Sequence, residues 1–579
     1  MGWSGTRRGA GHGRHITHLR TAMDCVLSVW RRIHLDTCAT ASPCAKSPTD
    51  SHVNAEVNIA GRAASDAVWN RRLWLIVSAS TVVRLMVAAA TGLGVDESYA
   101  VTVARPLSWS YFDHPPLHFW MAGGMTWLTG DTRALAVRLP FVLAFSVTLW
   151  AIGRLGQHAF GARAGALGAL SLVCTGVLGL TTGTWVLPDG PLVMCASLAA
   201  LMLAPLLFNT ANPTRDPATT NSWLRWGVVG VLLGGALLSK YHAVLYGAGI
   251  LLFLLTTESG RRQLRTSGPW LAAAIALLCT VPVLWWNAEH GWVSFTFQGA
   301  RAATTAAWSI APFVENVVGQ ALWLLPWMAV PFAVALGRAI ASGRTDVRQW
   351  FFACLALVPV CVFTVITLGG ARGLPHWQAP GWLFAAPLVG RMLDRAITRD
   401  VRWPRWWLPM AAGTWLTLVL ILGSHVATGW LSPHIAVLSA PADPTLDAFD
   451  WRALRDSLSV RGIDIRDGVT TRSWIQAGKL GVALGATTPI MCACDDAHHL
   501  LFRYPATVFP RLVVEHVQPW KRGWQPASVA LTGQLGPLDS LGTITLARSG
   551  QPAVSLAVYR LALPETQAQA ASGSRSFRR

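Results

Sequence analysis

Charge is scarce in this chain of 579 residues. Asp, Glu, Lys and Arg make up 13% of it, 52% is hydrophobic, and there are 30 Trp. A soluble domain carries nearer 25% charged residues, so the deficit excludes an ordinary soluble globule. It calls for many membrane-buried helices, with Trp serving as interfacial anchors. Acid is scarcer than base, at 28 Asp and Glu against 47 Lys and Arg, for a formal charge of +19. Nucleic-acid binding would need that charge gathered on one soluble face, whereas here it falls in short loops between apolar runs, as it does on one side of a membrane. Zinc-type cysteine spacing is missing too. Cys25, Cys38 and Cys44 lie in the N-terminal stretch, several others lie within apolar runs, and Cys492 and Cys494 stand two apart. Unpaired thiols are the expectation, with a local Cys492–Cys494 bridge as the alternative. No internal repeat of the transporter kind is visible.

Residues 1–68 are rich in Arg, His, Ser, Thr and Ala. The apolar piece Met23 to Trp30 is too short to span and no cleavage signature follows it, so 1–68 is expected to be a disordered tail or sequence upstream of the true start. Eleven spans are then predicted, near 73–92, 134–153, 164–184, 190–208, 225–239, 241–257, 269–286, 318–337, 350–369, 378–394 and 406–425. Each is about long enough for a ~30 Å core, with 225–239 and 241–257 short.

Alternate connections divide cleanly by charge. One set holds Arg154 and Arg163, Arg215 and Arg225, Arg261, Arg262 and Arg265, Arg338, Arg344 and Arg348, and the arginines from Arg391 to Arg405. The orientation rule puts these in the cytoplasm. The other set holds Asp96, Glu97, Asp113, His114, Asp189, Lys240, the 287–317 loop, Arg372 and His376, and so faces the outer compartment. A membrane domain over 69–428 is expected, with a loop at 93–132 on that outer side. Residues 429–565 regain charge and read as a small soluble α/β domain on the same side, with β-like runs at Ala527 to Leu531, Thr543 to Leu546 and Ala553 to Tyr559. Residues 566–579 read as a disordered tail.

The stretch Asp96 to Trp120, DESYAVTVARPLSWSYFDHPPLHFW, follows the first span directly. Each uncompensated charge costs roughly 2.5–3.5 kcal/mol in a bilayer interior, so this acid-rich piece belongs at a membrane surface or in a water-filled cavity. Asp96 or Glu97 could take a proton from a hydroxyl as it attacks, a role that general bases fill; two solvated acids at a helix end are the plain alternative. In Tyr111 to Pro116 the double proline predicts an extended turn and then a helix, Leu117 to Trp127, with Asp113 and His114 side by side. Carboxylate and imidazole suit a divalent cation, while Asp113 could equally be a helix cap. The apolar and aromatic residues of that helix suit one lying on the membrane. Asp189 sits in a proline-framed turn and could bind sugar hydroxyls or simply shape the turn. Lys240, with Tyr241 and His242, interrupts an apolar stretch as a functional cation or a snorkelling one. In 287–301 aromatics mix with His290 and Arg301, and Arg372 near His376 could grip a phosphate with its guanidinium fork or touch lipid headgroups.

Together, the DE pair after the first span, YFDHPPL, LPDGPL, SKY, the HGW…FQGAR stretch and the HW-Q-A-P turn resemble bacterial membrane glycosyltransferases of the protein-O-mannosyltransferase superfamily. That superfamily includes the lipid A aminoarabinose transferases (ArnT-like) and related galacturonosyltransferases. The likeness covers roughly residues 70–395. It implies a C-type glycosyltransferase fold of about 11–13 transmembrane helices, a polyprenyl-phosphate-linked sugar donor, a lipid or glycan acceptor, inversion at the anomeric carbon, and chemistry on the periplasmic face of the bacterial inner membrane. By the same likeness Asp96 takes the catalytic position and Glu97 is its partner. Asp113 stands where the aminoarabinose transferases have a metal-associated glutamate, and His114 replaces their lysine. Asp189 resembles a second acid near the sugar, and Lys240, Arg372 and His376 would neutralise the departing phosphate. Tyr241 and Arg301 complete the expected substrate-binding set. No cofactor beyond that divalent metal is implied. The rival readings are a lipid-linked oligosaccharide polymerase or ligase, and a non-enzymatic lipid or sugar transporter.

Overall fold

Apolar runs with few charges fold as helices because a bilayer leaves every backbone group to be satisfied within its own segment. The computed structural model describes residues 51–208, 222–302, 308–371, 373–503 and 510–562. Among them seven helices are long and apolar enough to cross a membrane, or nine if each of two bent pairs is one span. The protein is a polytopic helical membrane protein. The first helix, Ser51–Ala90, begins inside the stretch expected to be tail. Residues 1–50 and the tail 566–579 lie outside the described residues.

The spans expected near 164–184 and 378–394 are built from shorter pieces. The former is the helix Ala162–Val173 followed by a widened turn, Val177–Thr182. The latter divides into Ala379–Leu383 and Ala386–Thr398. The run near 318–337 straddles a break, for Ile310–Leu324 meets the helix beginning at Pro326 at 108°. Leu325, at φ 75°, makes that corner, and a proline at the first helical position suits the restart. Lys240 separates Ser222–Ser239 from the bent pair that starts at Tyr241. The double proline does start a helix, Leu117–Thr129, which leaves Trp127 and Leu128 exposed at its end.

Beyond the last long helix, Trp403–Thr428, comes a five-stranded sheet. Its strands are β1 (Val469–Thr471), β2 (Ile490–Cys492), β3 (Leu512–His516), β4 (Leu538–Arg548) and β5 (Gln551–Leu561), in the order β2-β1-β3-β5-β4. β1 runs parallel to β2 and β3, while β5 runs antiparallel to β3 and β4. Ser549 and Gly550, both at positive φ, close the β4–β5 hairpin as the paired left-handed residues of a two-residue turn must. Two of the three expected β-like runs lie in β4 and β5. The third is a correction: Ala527–Ala530 is a helical turn, capping the sheet through the Ala527 N–H, which donates to Glu515 at 2.6 Å. Cys492 and Cys494 are bridged, against the expectation of free thiols.

One apolar core lies among the membrane helices. A second is shared between the loop after the first span and the sheet domain, joining Tyr99, Val101 and Phe119 to Leu480, Leu512 and Val558. The helix Trp474–Leu484 packs on Val95–Val103 at backbone contact. A Cβ at Gly478 would sit 2.6 Å from the Tyr99 nitrogen, so only glycine allows that approach.

Candidate active site

Gly94 caps the helix Val95–Val103 and Glu97, at its third position, reaches back to accept from the Gly94 N–H at 2.7 Å. Glu97 is otherwise consumed by structure. Arg138 donates to it from Nε and Nη2 at 2.7 and 2.5 Å, and the Val186 N–H donates at 2.9 Å. Burial would raise this carboxyl, but Arg138 and the two N–H donors overrule it and hold the group below its ordinary range. Glu97, expected among the substrate-binding residues, is buried and does not line the cavity described below. Asp96, its neighbour, is exposed to that cavity and has no hydrogen-bond partner among the described residues.

The cavity holds about 540 Å³ and is walled by Asp96, Asp113, His114, Asp189, Lys240, Arg301 and His376 among others. Seven of the ten expected site residues thus share one chamber. Tyr241 does not line it; its ring packs on Phe295 behind the wall. Arg372 lies outside the described residues.

On the acidic side, Tyr99 sits one turn after Asp96. Its hydroxyl donates to Asp113 Oδ1 at 2.8 Å and accepts from the His499 N–H at 3.0 Å. Gln298 Nε2 holds the Asp113 carbonyl at 2.5 Å, and Tyr111 stacks on Phe119 with ring centroids 3.9 Å apart. The stiff turn read from the double proline is thus clamped from two sides. On the opposite side, Lys240 Nζ donates to both oxygens of Asp189, at 3.0 and 2.9 Å. Lys240 is already compensated, which leaves Arg301 as the chamber cation without a carboxylate partner among the described residues. Its guanidinium stands 5.4 Å from the Phe297 ring and 5.4 Å from the Trp377 ring.

Burial dominates the loop electrostatics. Asp96, open to the chamber yet surrounded by protein, is desolvated and so raised, helped by the charges of Glu97 and Asp447 and opposed by Arg301. Burial pushes Asp113 up to about 6, against the Tyr99 hydrogen bond. It pulls His114 well down, His118 to about 3 and His376 to about 4. Burial thus favours the uncharged imidazole at His376, a form that can donate one hydrogen bond. Among the described residues no three His, Cys, Asp or Glu side chains gather as a metal set. Asp113 and His114 are neighbours without a third ligand, so the divalent cation expected there gains no support from this donor set.

Sequence reasoning missed several contributors. Arg138 interrupts an apolar span, as does Arg84, which donates to the Gly179 carbonyl at 2.5 Å and holds the widened turn whose Thr181 and Thr182 line the chamber. A charge inside a span was the available signal. Trp474 and His498 of the sheet domain also wall the chamber, and no local pattern announced them.

The family model for dolichyl-phosphate-mannose-protein mannosyltransferase matches residues 113–286. The chain is 25% identical over 347 residues to the undecaprenyl phosphate-alpha-4-amino-4-deoxy-L-arabinose arabinosyl transferase of Pectobacterium atrosepticum, covering 56% of this chain and 57% of that one. It is 23% identical over 391 residues to the lipopolysaccharide core galacturonosyltransferase RgtB of Rhizobium johnstonii, covering 64% and 76%. The match to the first spans little more than half of that relative's length. Among solved structures, ArnT from Cupriavidus metallidurans bound to undecaprenyl phosphate superposes with a TM-score of 0.55 at 16% identity, over 84% of this chain and 97% of that one. The same protein in the apo state gives the same score over 86% and 98%. The fold is that of the C-type glycosyltransferases.

Proposed function

From the chain's resemblance to the ArnT-like glycosyltransferases of the protein-O-mannosyltransferase superfamily, carried by sequence and fold together, we propose that it transfers a sugar from a polyprenyl-phosphate donor to an envelope glycolipid or glycan. The observation that carries this reading is the pairing, in one chamber, of a carboxylate and a guanidinium that have no ion-pair partner among the described residues, Asp96 and Arg301. In the proposed step an acceptor hydroxyl oxygen attacks the anomeric carbon, its proton passes to Asp96, and the bond from that carbon to the phosphate oxygen breaks on the opposite face. One displacement inverts the centre. The leaving polyprenyl phosphate gains negative charge in a poorly hydrated place, where a preorganised cation such as Arg301 is worth most. Asp189 and the neutral imidazoles of His114 and His376 supply hydrogen-bond partners for sugar hydroxyls, and Lys240 orients Asp189.

A chamber of about 540 Å³ is on the scale of a single small ligand, which favours one sugar phosphate over a long lipid-linked oligosaccharide. The arginine-poor side of the membrane is the chamber side, so the chemistry is assigned to the periplasmic face of the inner membrane.

The test is incubation of purified protein with a radiolabelled polyprenyl-phosphate sugar and candidate acceptors. Label moving to an acceptor in detergent, and its loss in Asp96→Asn, is the expected result. Movement of intact donor across vesicles without transfer would replace this reading with the transporter one.

A further inference from the structure

We propose a second lipid site: a groove on the face opposite the chamber that binds an anionic glycerophospholipid of the surrounding bilayer. The groove holds about 970 Å³ between the helices Pro326–Ser342, Ala386–Thr398 and Trp403–Thr428. Its depth and its charge point to one class of occupant.

Trp327, Val330, Val334 and Arg338 recur along Pro326–Ser342 at helical spacing, so one face of that helix is apolar along most of its length and cationic at its end. Trp323 of the preceding helix lines the chamber. At ~1.5 Å per residue, Arg338 stands ~20 Å along the helix from the corner at Leu325, and it belongs to the arginine-rich set of connections that the orientation rule puts in the cytoplasm. Arg395 and Arg399 join it from the end of Ala386–Thr398. Among the described residues no Asp or Glu lines the groove. Arg391, at its edge, is neutralised by Asp346 at 2.8 Å, whereas Arg338, Arg395 and Arg399 have no carboxylate partner among the described residues. The apolar wall is open: Val330 is 65% and Trp406 59% exposed. Trp407 Nε1 donates to the Trp327 carbonyl at 3.1 Å and ties two of the three helices together at the groove.

A phosphodiester headgroup on the three guanidiniums, with its acyl chains along Val330, Val334, Trp406 and Met410, satisfies both halves at once. Basic pockets between transmembrane helices on the cytoplasmic side recognise anionic headgroups in this way. A free phosphate would use only the charged end. The polyprenyl-phosphate donor of the proposed reaction has its headgroup on the other face.

The test uses the full-length protein and native mass spectrometry after exchange into micelles carrying phosphatidylglycerol, cardiolipin or phosphatidylcholine. Retention of the two anionic lipids but not phosphatidylcholine is expected. Arg395→Glu with Arg399→Glu should lower that retention by about tenfold or more. Val334→Trp, at an exposed position of the groove wall, fills the apolar half without touching a charge and should lower it too, while Arg405→Gln, outside the groove, should leave it unchanged. Equal retention of phosphatidylcholine, indifference to the double charge reversal, or displacement by inorganic phosphate or by polyprenyl phosphate would each overturn the proposal. None of these residues lines the chamber, so basal transfer should be unaffected. Sugar transfer measured on the same variants therefore reports separately on the proposed reaction.

Discussion

Arg138 grips Glu97 with two parallel hydrogen bonds, Nε to Oε1 at 2.7 Å and Nη2 to Oε2 at 2.5 Å, and both side chains are almost wholly buried. Arg138 also donates to the Thr91 and Gly92 carbonyls, so one guanidinium ties the end of the first long helix to the start of the Asp96 helix. Successive helical residues point about 100° apart, which is why fixing Glu97 inward turns Asp96 toward the chamber.

This predicts a structural phenotype for Glu97. Arg138→Ala strands a buried carboxylate and should cost about 3–5 kcal/mol, seen as a lower unfolding temperature in detergent. Glu97→Gln should also lower it. A Glu97→Gln protein that unfolds like the parent but binds donor poorly would restore Glu97 to the substrate site.

Asp96→Asn should leave unfolding and donor binding intact while abolishing transfer. In the parent, burial first and the neighbouring negative charges next hold Asp96 above the ordinary 3.8. The protonated, inactive form therefore persists to higher pH, and the acid limb of transfer should have its midpoint above that value. Arg301 opposes the shift, so Arg301→Ala should move the limb further up as well as slow transfer. A limb at the ordinary carboxylate position in both proteins would remove Asp96 from the role of base.

Asp113 gives a stability signature. Its folded value is about 6 against 3.8, raised by burial. Below 3.8 both folded and unfolded chains hold the proton. Between the two values only the folded chain does, so stability is full at low pH and is lost as pH rises through about 6. Tyr99→Phe deletes a hydrogen bond that favours the carboxylate and should extend that loss to higher pH. Asp113→Asn should flatten it. Unfolding temperatures measured from pH 4 to 8 on the three proteins decide the matter.

The membrane part was legible where one helix follows one apolar run, as at Asp189–Phe208 and Trp403–Thr428. It was less so where the chain breaks inside hydrophobic sequence, because hydropathy carries no signal for a corner like Leu325 or the widened turn at Val177–Thr182. The acids and cations of the chamber stood out as charges beside spans. Their pairings did not: nothing in the sequence says that Lys240 meets Asp189 across 51 residues or that Glu97 meets Arg138 across 41. Such partners are set by how helices pack, and a single sequence does not record it.

A contact between the sheet domain and the Asp96 helix carries the last prediction. Trp474 meets the Tyr99 ring edge-on at 5.3 Å and lies against His498 at 4.8 Å, so the sheet domain supplies part of the chamber wall beside Asp96. With a donor phosphate held between Arg301 and the Lys240–Asp189 pair, the Trp474 ring beside Asp96 is left to the acceptor. An indole there offers a broad apolar face to a sugar ring. Trp474→Ala should lower kcat/KM for the acceptor about tenfold, the scale of losing one aromatic contact, chiefly through KM. Trp474→Phe should recover most of it. Donor hydrolysis measured without acceptor should stay at the parent rate in both variants, since the donor end of the chamber is untouched. Loss of donor hydrolysis in Trp474→Ala but not in Trp474→Phe would instead mean that the ring merely props Tyr99 and Asp113, and the acceptor would have to be sought at another wall.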